Sequence, residues 1–305
     1  MNYQGFSTPI LLLIFNRPQA TKKVFQQLRI FKPQYLFVSA DGPRAFNVND
    51  KELCVETRKI IDNIDWHCEV KTHYSDINLG CKIGVSSGID WFFDHVEEGI
   101  ILEDDCLPGP SFFQFCENML AHYRNNEKVM HIGGSNFQDG IIRGSGSYYF
   151  SSIPHVWGWA TWRRAWRKYD VSIKSFPELM NNHQFDKLYF SDRIKQYWLK
   201  NFELVYTNRK DTWDIQWMYT VSIHHGMSVI PNSNLVSNIG FESGATHTFN
   251  QTDPMANRSV HTIGQIIHPS TISPHTDADA YTFKKYMSPS IMLKLWRMIR
   301  QYTQI

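Results

Sequence analysis

Three consecutive carboxylates, Glu103-Asp104-Asp105, follow directly on the apolar run Ile100-Ile101-Leu102 and precede the turn residues Pro108-Gly109-Pro110. A short apolar run bounded in this way predicts a buried strand, and ligands of open α/β sheets collect outside the carboxyl ends of such strands. Adjacent acids repel one another, so the chemistry they suggest is a hard divalent cation bridging to a phosphate-bearing ligand. A solvated acidic loop, or acids placed ahead of the helix predicted over 111–123, accounts for the same residues without a ligand. Asp214 is the second candidate, beside Trp213 at a predicted helix start in Asp211-Thr212-Trp213-Asp214-Ile215-Gln216-Trp217. A carboxylate against an indole has a raised proton affinity, which suits a general base. Capping of the helix by Asp214 or Asp211 is the plainer alternative. His247, in the glycine-punctuated loop 240–248, could add an imidazole to a metal, although a lone loop histidine is more often a surface residue.

These groups need a scaffold, and the first third of the chain describes one. Residues 9–15 read as a buried strand ending in Asn16-Arg17-Pro18, with helical spacing over 19–28. A second strand, 35–39, closes at Ala40-Asp41-Gly42-Pro43, and a helix over 50–64 follows. A third strand at 69–74 leads through Asn78-Leu79-Gly80 into a helix over 82–93, and the acidic strand comes next. Strands alternating with helices of this length predict an α/β fold with a Rossmann-like, mostly parallel central sheet flanked by helices. In such a sheet Arg17, Asp41 and 103–105 share one edge, and Lys82 opens the helix before the acidic strand. A cation, an isolated acid and a carboxylate cluster converging there would suit a nucleotide diphosphate with a metal. Taken singly, Arg17 reads equally as a surface residue, Asp41 as a turn residue and Lys82 as a solvated helix face.

Beyond the triplet, 129–134 and 148–150 read as strands, and Trp157-Gly158-Trp159 follows within 154–162. A glycine between two indoles lets backbone approach a ligand while the rings form a wall, and a Trp-rich core cluster is the competing account. Arg163, Arg164, Arg167 and Lys168 read as a solvated basic helix face. The division expected is a domain over 1–267, with a nucleotide-binding half at 1–105 and an acceptor half at 106–267. An extension over 268–305 ends in a basic amphipathic helix at 290–302, which would pack back on the protein or lie on an anionic membrane.

Composition narrows the classes. A net charge of +2 over 305 residues gives no case for nucleic-acid binding, whereas 10 Trp, 14 Tyr and 20 Phe favour sugar or base stacking weakly. Five scattered cysteines without metal spacing suggest free thiols in a reducing compartment. The one early apolar run is far too short to span a bilayer, so the expected location is cytoplasmic, with at most a peripheral contact at the inner face of the membrane. No P-loop, no G-x-G-x-x-G after a strand, no G-x-S-x-G elbow and no H-E-x-x-H helix occurs.

The chain resembles GT-A-fold nucleotide-sugar glycosyltransferases, in particular bacterial relatives of the N-acetylglucosaminyltransferase I-like family. The likeness rests on Phe15-Asn16-Arg17-Pro18, Val38-Ser39-Ala40-Asp41, Leu102-Glu103-Asp104-Asp105 with Ser111-Phe112-Phe113 downstream, Gly158-Trp159, and Trp213-Asp214-Ile215-Gln216-Trp217-Met218. It covers about residues 8–250, and implies a smaller mixed sheet and a C-terminal helical extension beside the main sheet. The resemblance implies that Asp105 binds Mn2+ while Glu103 and Asp104 contact ribose, donor sugar or metal-bound water. It places Arg17 at the diphosphate, Asp41 at the base (uracil), and Asp214 on the acceptor hydroxyl. The family's Trp-Asp-Asp-Trp becomes Trp-Asp-Ile-Gln-Trp here, one residue longer, which leaves the base between Asp214 and Asp211. The implied activity is inverting transfer from a UDP-sugar to a glycan or lipid-linked glycan in cell-surface polysaccharide synthesis. A catalytically silent nucleotide-sugar or glycan-binding protein is the alternative. A sugar nucleotidyltransferase would be expected to carry an N-terminal glycine-rich phosphate loop, which is absent.

Overall fold

The computed structural model describes residues 6–189, 191–241 and 253–288. Its first half alternates strand and helix: β1 (Ile10–Ile14), α1 (Pro18–Phe31), β2 (Tyr35–Ala40), α2 (Asp50–Lys59), β3 (Glu69–Tyr74), α3 (Gly80–His95) and β4 (Glu98–Glu103). Then come β5 (Cys106–Pro108), α4 (Phe112–Tyr123), β6 (Val129–Gly133), β7 (Tyr148–Ser151), β8 (Trp159–Trp162) and α5 (Arg163–Trp166). The remainder is α6 (Phe176–Asn181), α7 (Asp192–Tyr206), α8 (Asp214–Ile223), β9 (Met227–Pro231), β10 (Val236–Asn238) and α9 (Thr276–Thr282).

Eight strands form one sheet in the order β3-β2-β1-β4-β8-β6-β9-β7. The first four run parallel, β8 is antiparallel to both its neighbours, β6 and β9 are parallel, and β7 closes the edge antiparallel to β9. The fold is therefore α/β, with a mostly parallel central sheet flanked by helices. The small second sheet, expected to be mixed, is the antiparallel pair β5–β10. Mixed pairing belongs instead to the second half of the large sheet.

Why the apolar runs are continuous is visible in β1. Side chains alternate across a strand, so Ile10, Leu12 and Ile14 join the core under α1 and α4, and Leu11 and Leu13 join the opposite core under α3. Both faces are covered, and no polar residue is tolerated on either. β8 follows the same rule: Trp159 faces the α3 side and Ala160 and Trp162 the α4 side. A third cluster, built on Phe176, Trp198, Phe202 and Tyr219, holds α6, α7 and α8 together.

The basic stretch after β8 is not a solvated face throughout. Arg163 donates to the carbonyls of Phe93 and Val96 at the end of α3, and Arg164 to those of Tyr123, Arg124 and Val129 beyond α4. Cations at helix carboxyl ends complement the dipole and satisfy orphan carbonyls. Residues 268–288 pack on the domain: Asp279 accepts from Ser151 Oγ (2.6 Å) and Ser152 N (2.9 Å), and Asp139 accepts from Arg258, Tyr281, Lys285 and Tyr286. The amphipathic segment 290–302 lies outside the described residues. Among those described, no helix is long and apolar enough to cross a membrane, and the five cysteines are free thiols.

Trp159 is fully buried on a central strand. Trp159→Ala is expected to cost about 3–5 kcal/mol of unfolding free energy, read by urea denaturation. A cost below about 1 kcal/mol would place this indole outside the core.

Candidate functional site

The chain leaves β1 towards β2 on one side and returns to β4 on the other, so the connections beyond β1 and β4 diverge. Ligands of open α/β sheets bind at such a switch point. A cleft of about 550 Å³ opens there, lined by Arg17, Asp41, Glu103, Asp104, Asp105, Trp157, Asp211, Trp213 and Asp214 among others. Nine of the residues singled out from the sequence thus share one cavity.

Its charged end is built on the last residues of β1 and β4. Arg17 donates through Nε to Asp104 Oδ2 (3.2 Å), through Nη2 to Asp104 Oδ1, and through Nη1 to Asp105 Oδ2 (2.8 Å). Burial works against the guanidinium, but Asp104 and Asp105 outweigh it and hold its proton firmly. Asp104 is 2% exposed and both its oxygens are taken by Arg17. Burial raises its proton affinity and Arg17 opposes the rise. Glu103 has no such partner: burial, then the Asp105 charge, push its carboxyl up to about 8, with Arg17 easing the shift. Asp105 is held from the other side, where Ile239 N donates to its carbonyl (2.8 Å). A Cβ at Gly240 would lie 2.1 Å from Asp105 Oδ2, so the chain beyond β10 can approach this carboxylate only as glycine.

Two further aspartates meet at the start of α3. Asp41 accepts from Leu79 N (2.8 Å) and Gly80 N (3.2 Å), and Asp211 from Cys81 N and Lys82 N (3.1 Å each). The first amides of a helix lack intrahelical partners, and here two carboxylates from distant loops supply them. Burial raises the proton affinity of Asp41, and the Leu79, Gly42 and Gly80 amides offset it. Gly80 adopts φ +79°, and a Cβ there would lie 2.9 Å from Asp211 Oδ2.

Asp214, the first residue of α8, is half-buried and accepts from the Thr212 hydroxyl. Trp213 stacks on Trp159 (centroids 5.5 Å, 18°), and Trp157 meets Phe241 edge-on (5.8 Å, 89°). Three expected residues lie outside the cleft lining. Lys82 Nζ turns to Asn208 Oδ1 (2.9 Å), Trp159 is core, and Gly158, at φ +62°, is pressed on Val236, where a Cβ would come within 2.7 Å. His247 lies outside the described residues. Arg44, Asn78, Cys81, Lys210, Thr212 and Asn238 also line the cleft. Asn78 and Arg44 follow strand ends and could have been found that way. Asn238 depends on the β5–β10 pairing, which carries no local signal.

The carboxylate of Asp105 is a hard oxygen donor suited to Mn2+ or Mg2+, whereas Glu103, holding its proton, is not. Among the described residues, no group of three or more acidic, histidine or cysteine side chains is arranged to hold a metal ion. The residues present thus supply fewer protein donors than a cation held by protein alone requires.

No family model and no curated protein sequence matches the chain. Among solved structures it is similar to UDP-glucose pyrophosphorylase complexed with UDP-glucose, at 9% identity over 73% of this chain and 90% of that one, with a TM-score of 0.35. The apo form of UDP-glucose pyrophosphorylase gives 7% identity over the same shares, again at 0.35. The 4-diphosphocytidyl-2C-methyl-D-erythritol synthase from Anaerococcus prevotii DSM 20548 gives 7% identity over 71% and 98%, at 0.32. Superpositions at these scores carry no functional weight, and the site is read from its own side chains.

The Glu103 carboxyl keeps its proton up to about pH 8 in the folded pocket but releases it near 4.5 when unfolded. Its contribution to stability is thus complete below the unfolded value and is lost as pH rises through the folded one. Glu103→Gln should match wild type in melting temperature at about pH 5 and exceed it progressively towards about pH 8. A difference that does not change with pH would contradict this protonation.

Proposed function

We propose that the chain is a GT-A-type inverting glycosyltransferase, moving a sugar from a nucleotide-diphosphate donor, a UDP-sugar, to a hydroxyl of a glycan or lipid-linked glycan. The observation that carries this reading is the sharing of one cleft by two separate functions: the Arg17–Asp104–Asp105 cluster with Glu103, and the partly free carboxylate of Asp214. A binding module needs no second carboxylate separate from the donor end of the cleft.

In this reading Arg17 and Lys210 bring positive charge to the diphosphate, and Asp105 would hold a Mn2+ or Mg2+ shared with it. Bound there, the cation acts as a Lewis acid on the departing diphosphate. Asp104 is committed to Arg17, so Glu103 is the carboxyl left to face ribose or sugar. Asp41, with Asn78, marks the place of the base. Trp157 offers a ring to the sugars, and Trp213, buried and stacked on Trp159, backs that wall. Asp214 accepts the acceptor's hydroxyl proton as that oxygen bonds to the anomeric carbon and the bond to the diphosphate oxygen breaks. Asp211 is spent on the amides of α3, which favours Asp214 as the base. One attack from the side opposite the leaving group inverts the anomeric configuration.

A second reading, a silent nucleotide-sugar-binding protein, draws on the same ion pairs, since Arg17 already neutralises carboxylates that a cation would use. Calorimetry with a panel of nucleotide sugars decides between them when joined to turnover. Wild type should bind one UDP-sugar in a Mn2+-dependent way that Asp105→Ala abolishes. Asp214→Asn should bind the donor normally yet transfer about 10²–10⁴-fold more slowly. Donor binding without any transfer would support the silent binder, and retained configuration in the product by NMR would overturn the single displacement.

A further inference from the structure

Three cationic side chains line the cleft, Arg17, Arg44 and Lys210, and they are not equally available to a ligand. Arg17 gives Nε and both Nη atoms to Asp104 and Asp105. Lys210 Nζ reaches towards Asn201 Oδ1 on α7 (3.5 Å). The first amides of α3 are no substitute, since Asp41 and Asp211 occupy them. Arg44, on the loop between β2 and α2, is held differently. Its Nε donates to Asp50 Oδ2 (2.6 Å) and its Nη2 to Asp50 Oδ1 (2.9 Å), while Nη1 has no partner among the described residues. The Arg44 side chain is 30% exposed against 0% for Asp50, so the pair runs from the interior to the cleft.

The fork is itself supported from behind. Asp50 opens α2, and its Oδ1 also accepts from Asn16 Nδ2 (2.8 Å) and its Oδ2 from the Arg44 backbone N (3.2 Å). Asn16 directly precedes Arg17 after β1, so the same short stretch carries one guanidinium of the cleft and steadies the other. Phe15, also in the cleft lining, lies beneath the Arg44 guanidinium, with its ring centroid 5.4 Å from Cζ. A carboxylate along one edge and a ring against one face leave the side chain little freedom. A guanidinium fixed in this way loses little further entropy when its remaining end takes an oxyanion. A neutral base or sugar draws nothing from such a charge that an amide could not supply. A diphosphate entering beside Asp41, Asp104 and Asp105 needs it.

We propose that Arg44 is a donor-binding residue whose Nη1 donates to a phosphate oxygen of the nucleotide diphosphate, with Asp50 and Asn16 as the residues that position it. The inference rests on the nucleotide-sugar reading above and adds to it the side chain that makes the directed contact.

The test is calorimetry of the full chain with UDP in the presence of Mn2+, with uridine measured by its displacement of UDP. Arg44→Gln should weaken UDP binding about tenfold to a hundredfold and leave uridine within about twofold of wild type. That variant strips the buried Asp50 carboxylate of its ion pair. Arg44→Gln combined with Asp50→Asn removes both charges, and it should show the same selective loss. Asp50→Asn alone keeps the cation but weakens its fork, and should give a smaller loss, again for UDP only. Unchanged UDP affinity in Arg44→Gln would overturn the proposal. So would equal weakening of UDP and uridine, which would make Arg44 a support of its loop or a contact of the base. Wild-type affinity in the double variant would also overturn it, tracing the loss in the single variant to the unpaired carboxylate. In each of these outcomes wild type binds UDP and the donor reading stands, whereas a wild type that binds no UDP would overturn both.

Discussion

The arrangement of this site depends on one buried ion pair. Three carboxylates leave the end of β4 together, and the only way to close the sheet over them is to bring a positive charge in from β1. Arg17 does this for Asp104 so completely that the pair is sealed from solvent on the carboxylate side. Removing either partner would leave an uncompensated buried charge, which is far more destabilising than the pair is stabilising. One guanidinium does not balance three acids, however. Burial first, and the Asp105 charge second, hold the Glu103 proton well above the ordinary carboxyl range. The cleft thus has an unfilled demand for positive charge on the side where a diphosphate would arrive.

That demand cannot be met as it is in many nucleotide-binding α/β proteins, by a helix amino terminus. The start of α3 borders the cleft, and its amides would be a ready anion site. Asp41 and Asp211 already occupy them, from the end of β2 and from the loop before α8. These two contacts tie three separate stretches of chain together and make the cleft floor rigid. They also present negative charge where a phosphate would otherwise sit. The sequence has no glycine-rich phosphate loop and α3 is capped by acids, which leaves Arg17, Arg44 and Lys210 as the cationic side chains lining the cleft.

What could be read from the sequence follows from where the physics is local. The alternation of buried strands and amphipathic helices through Glu103 is set by short-range pattern, and β1 to β4 appear where the apolar runs predict them. Strand ends are equally local, so Arg17, Asp41 and the acidic triplet could be placed on one edge without knowing any contact. The chemistry of a side chain at that edge is not local. Asp211 and Asp214 differ by three positions and look alike in the sequence. Only the approach of a helix 129 residues away in the chain makes Asp211 a cap while leaving Asp214 turned to the cleft. The Trp157–Trp162 stretch divides for a related reason, Trp157 lining the cleft while Trp159 and Trp162 are core. An indole every second or third residue fits a pocket wall or a strand buried on both faces, and the partners that decide it, β4 and β6, are remote in sequence.

The aromatic side of the site gains its rigidity from groups that carry no charge. Trp213 lies on Trp159, which stacks in turn on His131 (5.1 Å, 22°). Trp217 Nε1 donates to His131 Nδ1 (3.1 Å), so the proton of that ring resides on Nε2, which donates to the carbonyl of His155 (3.0 Å). The His155 ring in turn donates through Nδ1 to Ser135 O (3.0 Å). Burial pushes His131 down to about 3 and His155 down to about 4, so both rings are neutral at physiological pH and each can hold a single tautomer. A charged imidazole here would place a cation within the indole cluster that carries Trp213. Neutral rings instead fix the indoles by shape and directed hydrogen bonds. The two halves of the site therefore work by opposite means: paired charge sets the geometry at the ends of β1 and β4, and excluded charge sets it beneath α8.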